Sequence, residues 1–117
     1  MEKGVRKGGT NASDLNDSTV VAVYTVTSGR KFVLTDIVVA NEHASETAVV
    51  ELYDQADGAS PDAASQKFPP IIVGPQETVV IKGIENGPEF STAVSALLSG
   101  GTGTVAARSV YVGGYEY

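Results

Sequence analysis

Few side chains in this sequence could take part in chemistry. His43 is the only histidine; it lies in a polar loop between Glu42 and Glu46, and the chain has no cysteine. A general base or a metal ligand needs partner groups, and the usual zinc ligands cannot be assembled from a single histidine. We therefore interpret His43 as an ordinary exposed loop residue.

Three carboxylates follow one another closely at Asp54, Asp57 and Asp62. Calcium prefers oxygen ligands of this kind, but an EF-hand loop alternates its ligands and ends with a bidentate glutamate, which this spacing does not reproduce. Two interpretations stay open, a calcium site and a plain solvated acidic loop. We expect no other metal and no cofactor.

The glycines at Gly100, Gly101 and Gly103 lack the lysine and the helix of a phosphate-binding loop, so they predict a hairpin turn. The sequence also lacks the Gly-x-Ser-x-Gly elbow of serine hydrolases, and any serine triad would depend on His43 alone. We predict that the protein is not an enzyme.

The elements that must position these residues are β-strands. From Ser18 onward, short runs rich in Val, Ile, Thr, Tyr and Phe alternate with Gly, Pro, Asn, Asp and Ser. Residues 47–54 alternate clearly, with Ala48, Val50 and Leu52 on the face that should be buried. The pattern predicts about seven or eight antiparallel strands and no helix.

Two strands carry special signals. In residues 31–41, Phe32 and Leu34 are out of phase with Ile37 and Val39, so we predict a β-bulge near Thr35-Asp36 that lets Asp36 point outward. In the run that ends at Val73, two prolines cannot donate ladder hydrogen bonds, which predicts an edge strand.

The length of 117 residues fits one domain. Residues 1–17 are rich in Gly, Ser, Asn, Asp and charge and predict a flexible N-terminal arm, whereas residues 18–117 form the sandwich. The arm carries a basic tip of Lys3, Arg6 and Lys7, but the net charge of the chain is −6, which disfavours nucleic acid as a partner.

No apolar run approaches the length of about 18 residues that a membrane span requires, and the first residues lack the apolar segment of a signal peptide. We expect a protein made in the cytoplasm that does not bind membranes.

Tyr111, Tyr115 and Tyr117 are concentrated at the end of the chain, around Gly113-Gly114. Tyrosine is favoured in interfaces because it provides a large contact area at low entropic cost. Two interpretations stay open: the tyrosines form an interface together with the basic tip, or Tyr111 closes the end of the barrel and the other two are simply exposed.

Three stretches resemble small jelly-roll proteins of tailed bacteriophage particles: residues 25–37 (TVTSGRKFVLTDI) with Asn41, residues 49–54 (VVELYD), and the ending from Gly103-Thr104-Val105 to Val112-Gly113-Gly114-Tyr115-Glu116. The resemblance covers about residues 19–117 and implies an all-β jelly-roll sandwich. It also implies a decoration or cement protein on the outside of a capsid, often a trimer.

From this resemblance we expect a structural virion protein that binds the major capsid protein and its own copies. The alternative is a receptor- or carbohydrate-binding module of a tail or fibre, acting through the loops at 41–46 and 55–66. Sugar sites usually stack a ring on an exposed aromatic side chain, and these loops contain none.

Overall fold

The computed structural model describes residues 4–11, 15–100 and 108–117. The described strands are β1 (Val5–Asn11), β2 (Val21–Thr25), β3 (Phe32–Asn41), β4 (Ala48–Asp54), β5 (Ile71–Val73), β6 (Thr78–Ile81), β7 (Glu89–Phe90), β8 (Ala93–Gly100) and β9 (Arg108–Glu116). A single 3₁₀ turn at Ala63–Ser65 is the one helical element in these ranges.

The strands form two antiparallel sheets packed face to face. Sheet A has the order β1-β9-β3-β6, with the short β7 also paired to β3, and sheet B has the order β2-β8-β4-β5. When β7 is left out, eight strands remain, and they form the two four-stranded sheets β1-β9-β3-β6 and β2-β8-β4-β5, which is the strand order of a jelly roll. The predicted antiparallel sandwich of jelly-roll type is therefore confirmed, with nine described strands instead of seven or eight.

The strand β1 lies where the sequence predicted a flexible arm. Residues 5–11 pair with β9 along the whole strand, from Val5 opposite Glu116 to Asn11 opposite Val110. The apolar pattern could not reveal this strand, because Val5 is its only large apolar residue and is 54% exposed. Backbone pairing holds β1 in place, and Leu15, a little further on, is buried in the core.

The core lies between the two sheets and follows the predicted alternation. Ala48, Val50 and Leu52 are fully buried. The register between β3 and β9 shifts between Leu34 and Asp36, which confirms the bulge predicted near Thr35-Asp36. The strand β5 lies at the edge of sheet B, as the prolines before it predicted.

The strand β2 departs from a simple alternation. The alternation in residues 19–27 predicts that Val20, Ala22, Tyr24 and Val26 face inward. Val26 is in the core and Tyr24 packs against it, but the register against β8 shifts between Ala22 and Tyr24, and Val23 also enters the core. Val20 faces the other side of sheet B.

A second, smaller core forms on that outer side of sheet B. Val20 packs there with Tyr53 and Leu97, and Ala59 of the loop 55–66 covers them. Backbone hydrogen bonds from Val20 to Ala59 (2.9 Å) and from Gly58 to Val20 (2.8 Å) hold the loop in place. The loop therefore covers part of the outer face of sheet B.

A substitution at Gly114 tests how closely β9 packs against β3. A β-carbon at this position would lie 2.0 Å from the Val33 carbonyl oxygen and 2.7 Å from the Phe32 ring. We expect Gly114→Ala to reduce the free energy of unfolding by about 3 kcal/mol or more, as overpacking in a core does. Gly29→Ala is the control: its φ of 81° is unfavourable for alanine but the space around it is open, so the cost should be only about 1 kcal/mol. Equal losses in urea unfolding would contradict the packing argument.

Candidate interaction surface

The outer face of sheet A carries the tyrosines of β9. Side chains alternate along this strand, so that Val110 and Val112 are buried in the core while Tyr111 and Tyr115 point outward. They are 42% and 38% exposed, and Tyr117, directly after the strand, is 48% exposed. All three predicted interface tyrosines therefore lie at the protein surface, and Tyr111 does not close the end of the sandwich.

Two glycines lie beneath the Tyr111 side chain and form what is called here the glycine floor. Gly8 of β1 and Gly113 of β9 lie opposite each other in the sheet. A β-carbon on Gly8 would lie 3.2 Å from the Tyr111 hydroxyl, and one on Gly113 would lie 3.4 Å from it. The tyrosine side chain thus covers backbone that the glycines leave bare, an arrangement known to stabilise glycine-containing sheets.

The side chain of Arg6 extends over the glycine floor from β1 to β3. Its guanidinium donates to Thr35 Oγ1 at 2.8 Å and forms an ion pair with Asp36. The bulge turns Asp36 outward, and Asp36 Oδ1 also accepts a hydrogen bond from the Gly83 backbone at 3.1 Å. This backbone bond, followed by the Arg6 guanidinium, holds the pKa of Asp36 below its ordinary value.

An apolar row continues from Tyr111 across the sheet. Val38 of β3 lies opposite Tyr111 on one side and opposite Val80 of β6 on the other. Val80 is 51% exposed although it is a large apolar residue. The outer face of sheet A therefore combines exposed aromatic and aliphatic groups with the Arg6–Asp36 pair, which is the composition typical of protein interfaces.

Tyr117 joins the C-terminal end of β9 to its neighbours. Its backbone exchanges hydrogen bonds with Lys31 at 3.0 and 3.1 Å. Its hydroxyl donates to the carboxylate of Glu89, and this bond raises the pKa of Tyr117. The third tyrosine is therefore held against the sheet by both its backbone and its side chain.

The basic tip is only partly described. Arg6 belongs to the outer face of sheet A, whereas Lys7 is exposed at the strand edge on the side of Glu116, and its charge acts on that carboxyl group. Lys3 lies outside the described residues, as do Gly101 and Gly103 of the predicted hairpin turn.

A buried carboxylate links the two sheets near this edge. Glu116 is only 2% exposed and accepts hydrogen bonds from the Tyr24 hydroxyl of β2 and from the Thr27 backbone at 2.9 Å. Burial raises the pKa of Glu116, but these bonds outweigh burial and bring it below its ordinary value of 4.5. Burial and the Glu116 bond raise the pKa of Tyr24 to about 12.

Glu116 was not among the predicted site residues, although the sequence contains a signal for it. Glu116 has the same parity as Val110 and Val112 on β9, so the alternation already placed it on the inner face.

The three calcium candidates serve three different backbone segments. Asp54 accepts hydrogen bonds from Ser91, Thr92 and Ala93 at the start of β8, Asp57 accepts one from Ala22, and Asp62 accepts one from Ala64 in the 3₁₀ turn. The structure therefore does not bring the three carboxylates together. Within the described ranges, no group of three or more His, Cys, Asp or Glu residues is arranged to hold a metal ion.

His43 shapes its own loop. Its Nδ1 accepts hydrogen bonds from the backbone of Ser45 at 3.1 Å and of Glu46 at 2.9 Å. The buried Asn41 side chain donates to the Glu46 carbonyl at 2.7 Å and to the Val73 carbonyl at 3.2 Å. These bonds give the loop 41–46 a fixed turn.

No protein-family model matches the chain, and no curated protein sequence matches it significantly. In the part of the chain that the structure describes, no helix is long and apolar enough to cross a membrane. The fold and its surface thus define this protein as a jelly-roll β-sandwich with an exposed tyrosine-bearing sheet.

Lowering the pH should reduce the free energy of unfolding, because the buried Glu116 carboxylate becomes protonated. Because the pKa of this carboxyl group is lower in the folded chain, its stabilising contribution is present above the pKa of the unfolded chain and is lost as the pH falls below 4.5. We expect Glu116→Gln to lose about 1–3 kcal/mol at pH 7 and to show a shallower decline in acid. Urea unfolding between pH 7 and 3 measures both effects.

Glu85→Gln removes the same charge at an exposed position and should leave the stability at pH 7 within about 0.5 kcal/mol. A Glu116→Gln protein with the stability and acid profile of the parent would show that the buried carboxylate does not stabilise the link between the sheets.

Arg6 should matter for β1 more than for the whole fold. Its side chain is 60% exposed, so we expect Arg6→Gln to change the global stability by less than about 1 kcal/mol. The amides of β1 should nevertheless exchange faster with deuterium, because the clamp to Thr35 and Asp36 is weakened. Lys67→Gln is the control, because it removes the same charge at an exposed site outside both sheets, and it should leave the exchange of the β1 amides unchanged. An equal effect of both variants would show that the contacts of Arg6 with Thr35 and Asp36 do not hold β1 in place.

Proposed function

We propose that the protein is a structural component of a virus particle, which decorates and stabilises the outer surface of a phage capsid as a homo-oligomer. The resemblance in the sequence implies this role, and the jelly-roll strand order is the fold that the resemblance implies. Its partners are the major capsid protein and further copies of itself, with a trimer as the assembly that the resemblance suggests. The protein is made in the host cytoplasm and has no catalytic role.

The observation that carries the proposal is the exposed tyrosine face of sheet A. Tyr111, Tyr115 and Val80 are each at least 38% exposed on one side of the sandwich. Part of the opposite outer face, on sheet B, is already covered by the loop 55–66. Exposed clusters of large apolar groups mark surfaces that bind other proteins.

The electrostatics of this face favour a protein partner. Arg6 is paired with Asp36, and the chain carries a net charge of −6, which disfavours a phosphate backbone as the partner. Tyrosine and arginine are the residue types that most often dominate the energy of protein interfaces.

The rigidity of the face also supports docking. Tyr111 lies against the glycine floor, and Tyr117 is hydrogen-bonded through both its backbone and its hydroxyl. Side chains already held in place lose less conformational entropy when a partner binds.

The first test is co-sedimentation with phage capsid shells that lack a decoration protein, together with the solution mass from light scattering. We expect an oligomer and saturable binding to shells. A monomer that ignores capsids but binds sugars on a glycan array would contradict the proposal and favour the alternative role as a carbohydrate-binding module.

Substitutions on the tyrosine face should weaken capsid binding. We expect Tyr111→Ser combined with Tyr115→Ser to weaken it by about 2 kcal/mol or more, which is roughly thirtyfold, because interface tyrosines contribute strongly. Ile72→Ser is the control: Ile72 is 67% exposed, but it lies on the outer face of sheet B. Equal losses of binding for the control and the double variant would show that the tyrosine face is not the docking surface.

A further inference from the structure

The four outer strand edges of the sandwich differ in how they are protected. At the side of β1 and β2 the edges approach each other so closely that a β-carbon on Gly9 would lie 2.3 Å from the Val23 carbonyl oxygen. The edge strand β5 has only three residues and follows Pro69-Pro70. The strand β6, at the end of sheet A, has neither a proline within it nor a strand beyond it in the described part of the chain.

The hydrogen-bond pattern shows which peptide groups of β6 face outward. The Asn41 amide donates to the Glu77 carbonyl at 2.9 Å, which places the groups of residues 77, 79 and 81 toward β3. Backbone groups alternate in direction along a strand. The N–H and C=O groups of Thr78 and Val80 therefore point away from the sheet, ready to pair with another strand.

We propose that β6 pairs with β6 of a second copy, antiparallel and around a two-fold axis at Val80. In this register the Val80 residues of the two copies form a directly opposed hydrogen-bonded pair, and Thr78 of each copy lies opposite Lys82 of the other. The register preserves the inner and outer faces of both strands, since only residues of equal parity can share a face. Two copies of sheet A then become one continuous sheet.

The charges at the strand ends fit this antiparallel arrangement. Glu77 precedes β6 and Lys82 follows it, and both are exposed. Antiparallel pairing brings the acidic start of each strand near the basic end of its partner, whereas parallel pairing would place like charges side by side. Charge complementarity therefore selects a second copy in this orientation.

The exposed apolar row gives a further reason. Tyr111, Val38 and Val80 lie side by side across sheet A, and the row ends at Val80, which is 51% exposed. Pairing at Val80 continues the row into the second copy and covers this side chain. Cross-strand pairs of β-branched residues stabilise a sheet.

The inferred contact deepens the proposed function. A two-fold axis perpendicular to the sheet leaves the outer faces of both copies on the same side, so the dimer presents two tyrosine faces to one surface. Two linked faces bind more strongly than one when both can engage. The same contact can join copies that belong to neighbouring trimers, because it uses the β6 edge and leaves the tyrosines free.

Disulfide trapping tests the contact directly, because the chain has no cysteine of its own. Opposed residues in a hydrogen-bonded pair have α-carbons about 5.5 Å apart, within the range of a disulfide. We expect Val80→Cys to form a covalent dimer under mild oxidation at least about tenfold faster than Ile72→Cys, the control on the edge strand of sheet B, although Ile72 is the more exposed of the two at 67% against 51%. Equal rates for the two variants would overturn the proposal.

Sedimentation equilibrium of the unmodified chain provides a second measurement. We expect a concentration-dependent association in which one step is the pairing of copies through β6. Val80→Lys should weaken this step by about tenfold or more, because the two lysines would face each other across the axis, while Ile72→Lys leaves it unchanged. Circular dichroism confirms that both variants fold. An association that Val80→Lys leaves as strong as in the parent would refute the β6 contact whatever the outcome of the capsid experiment, and failed capsid binding by a chain that still pairs through β6 would refute the proposed function alone.

Discussion

The architecture depends on the alternation of side chains along β9, the strand that pairs with β1 on one side and β3 on the other. Its even residues, from Val110 to Glu116, enter the core, and its odd residues form the centre of the outer face. A shift of one residue would exchange the two sets. Glycine at both 113 and 114 fits this division. Gly113 leaves space on the outer face for the side chains of Tyr111 and Arg6, and Gly114 allows the Val33 carbonyl oxygen to approach the strand closely. One strand thus determines both the packing of the core and the exposed aromatic face of sheet A.

The buried Glu116 shows how the sandwich tolerates a charge near its edge. An unpaired carboxylate would be costly to remove from water. Two donors, the Tyr24 hydroxyl and the Thr27 amide, converge on the same oxygen, and the nearby charge of Lys7 adds to them. Tyr24 belongs to β2 and Glu116 to β9, so the bond fixes one sheet relative to the other. The apolar core supplies cohesion, whereas this directional bond constrains the position of the sheets.

The sequence predicted the features that depend on burial. The bulge at Thr35-Asp36 could be foreseen because a charged residue between two inward-facing pairs has to be turned outward. The strand β1 could not, because Val5–Asn11 is held by backbone pairing and by Arg6, which leave no apolar pattern. The tyrosines were predicted by residue type, and their odd positions already place them on one side of β9, but only the register shows that Gly8 and Arg6 of β1 lie beside them on that face. The alternation predicts Val79 and Ile81 inward and therefore Val80 outward, as the structure has it, but only the strand order shows that β6 lies at the end of its sheet.

The two unusual features of sheet A, an uncovered aromatic face and an unguarded edge, support a single explanation. A monomeric sandwich would gain from polar residues on that face and from a charge within the edge strand. Sheet B is protected in other ways: the loop 55–66 covers part of its face, and prolines precede its edge strand β5. In the part of the chain that the structure describes, sheet B is therefore protected and sheet A is left open. This asymmetry is expected if sheet A functions in an assembly, in which a capsid surface covers the tyrosine face and a second copy pairs with the edge strand β6.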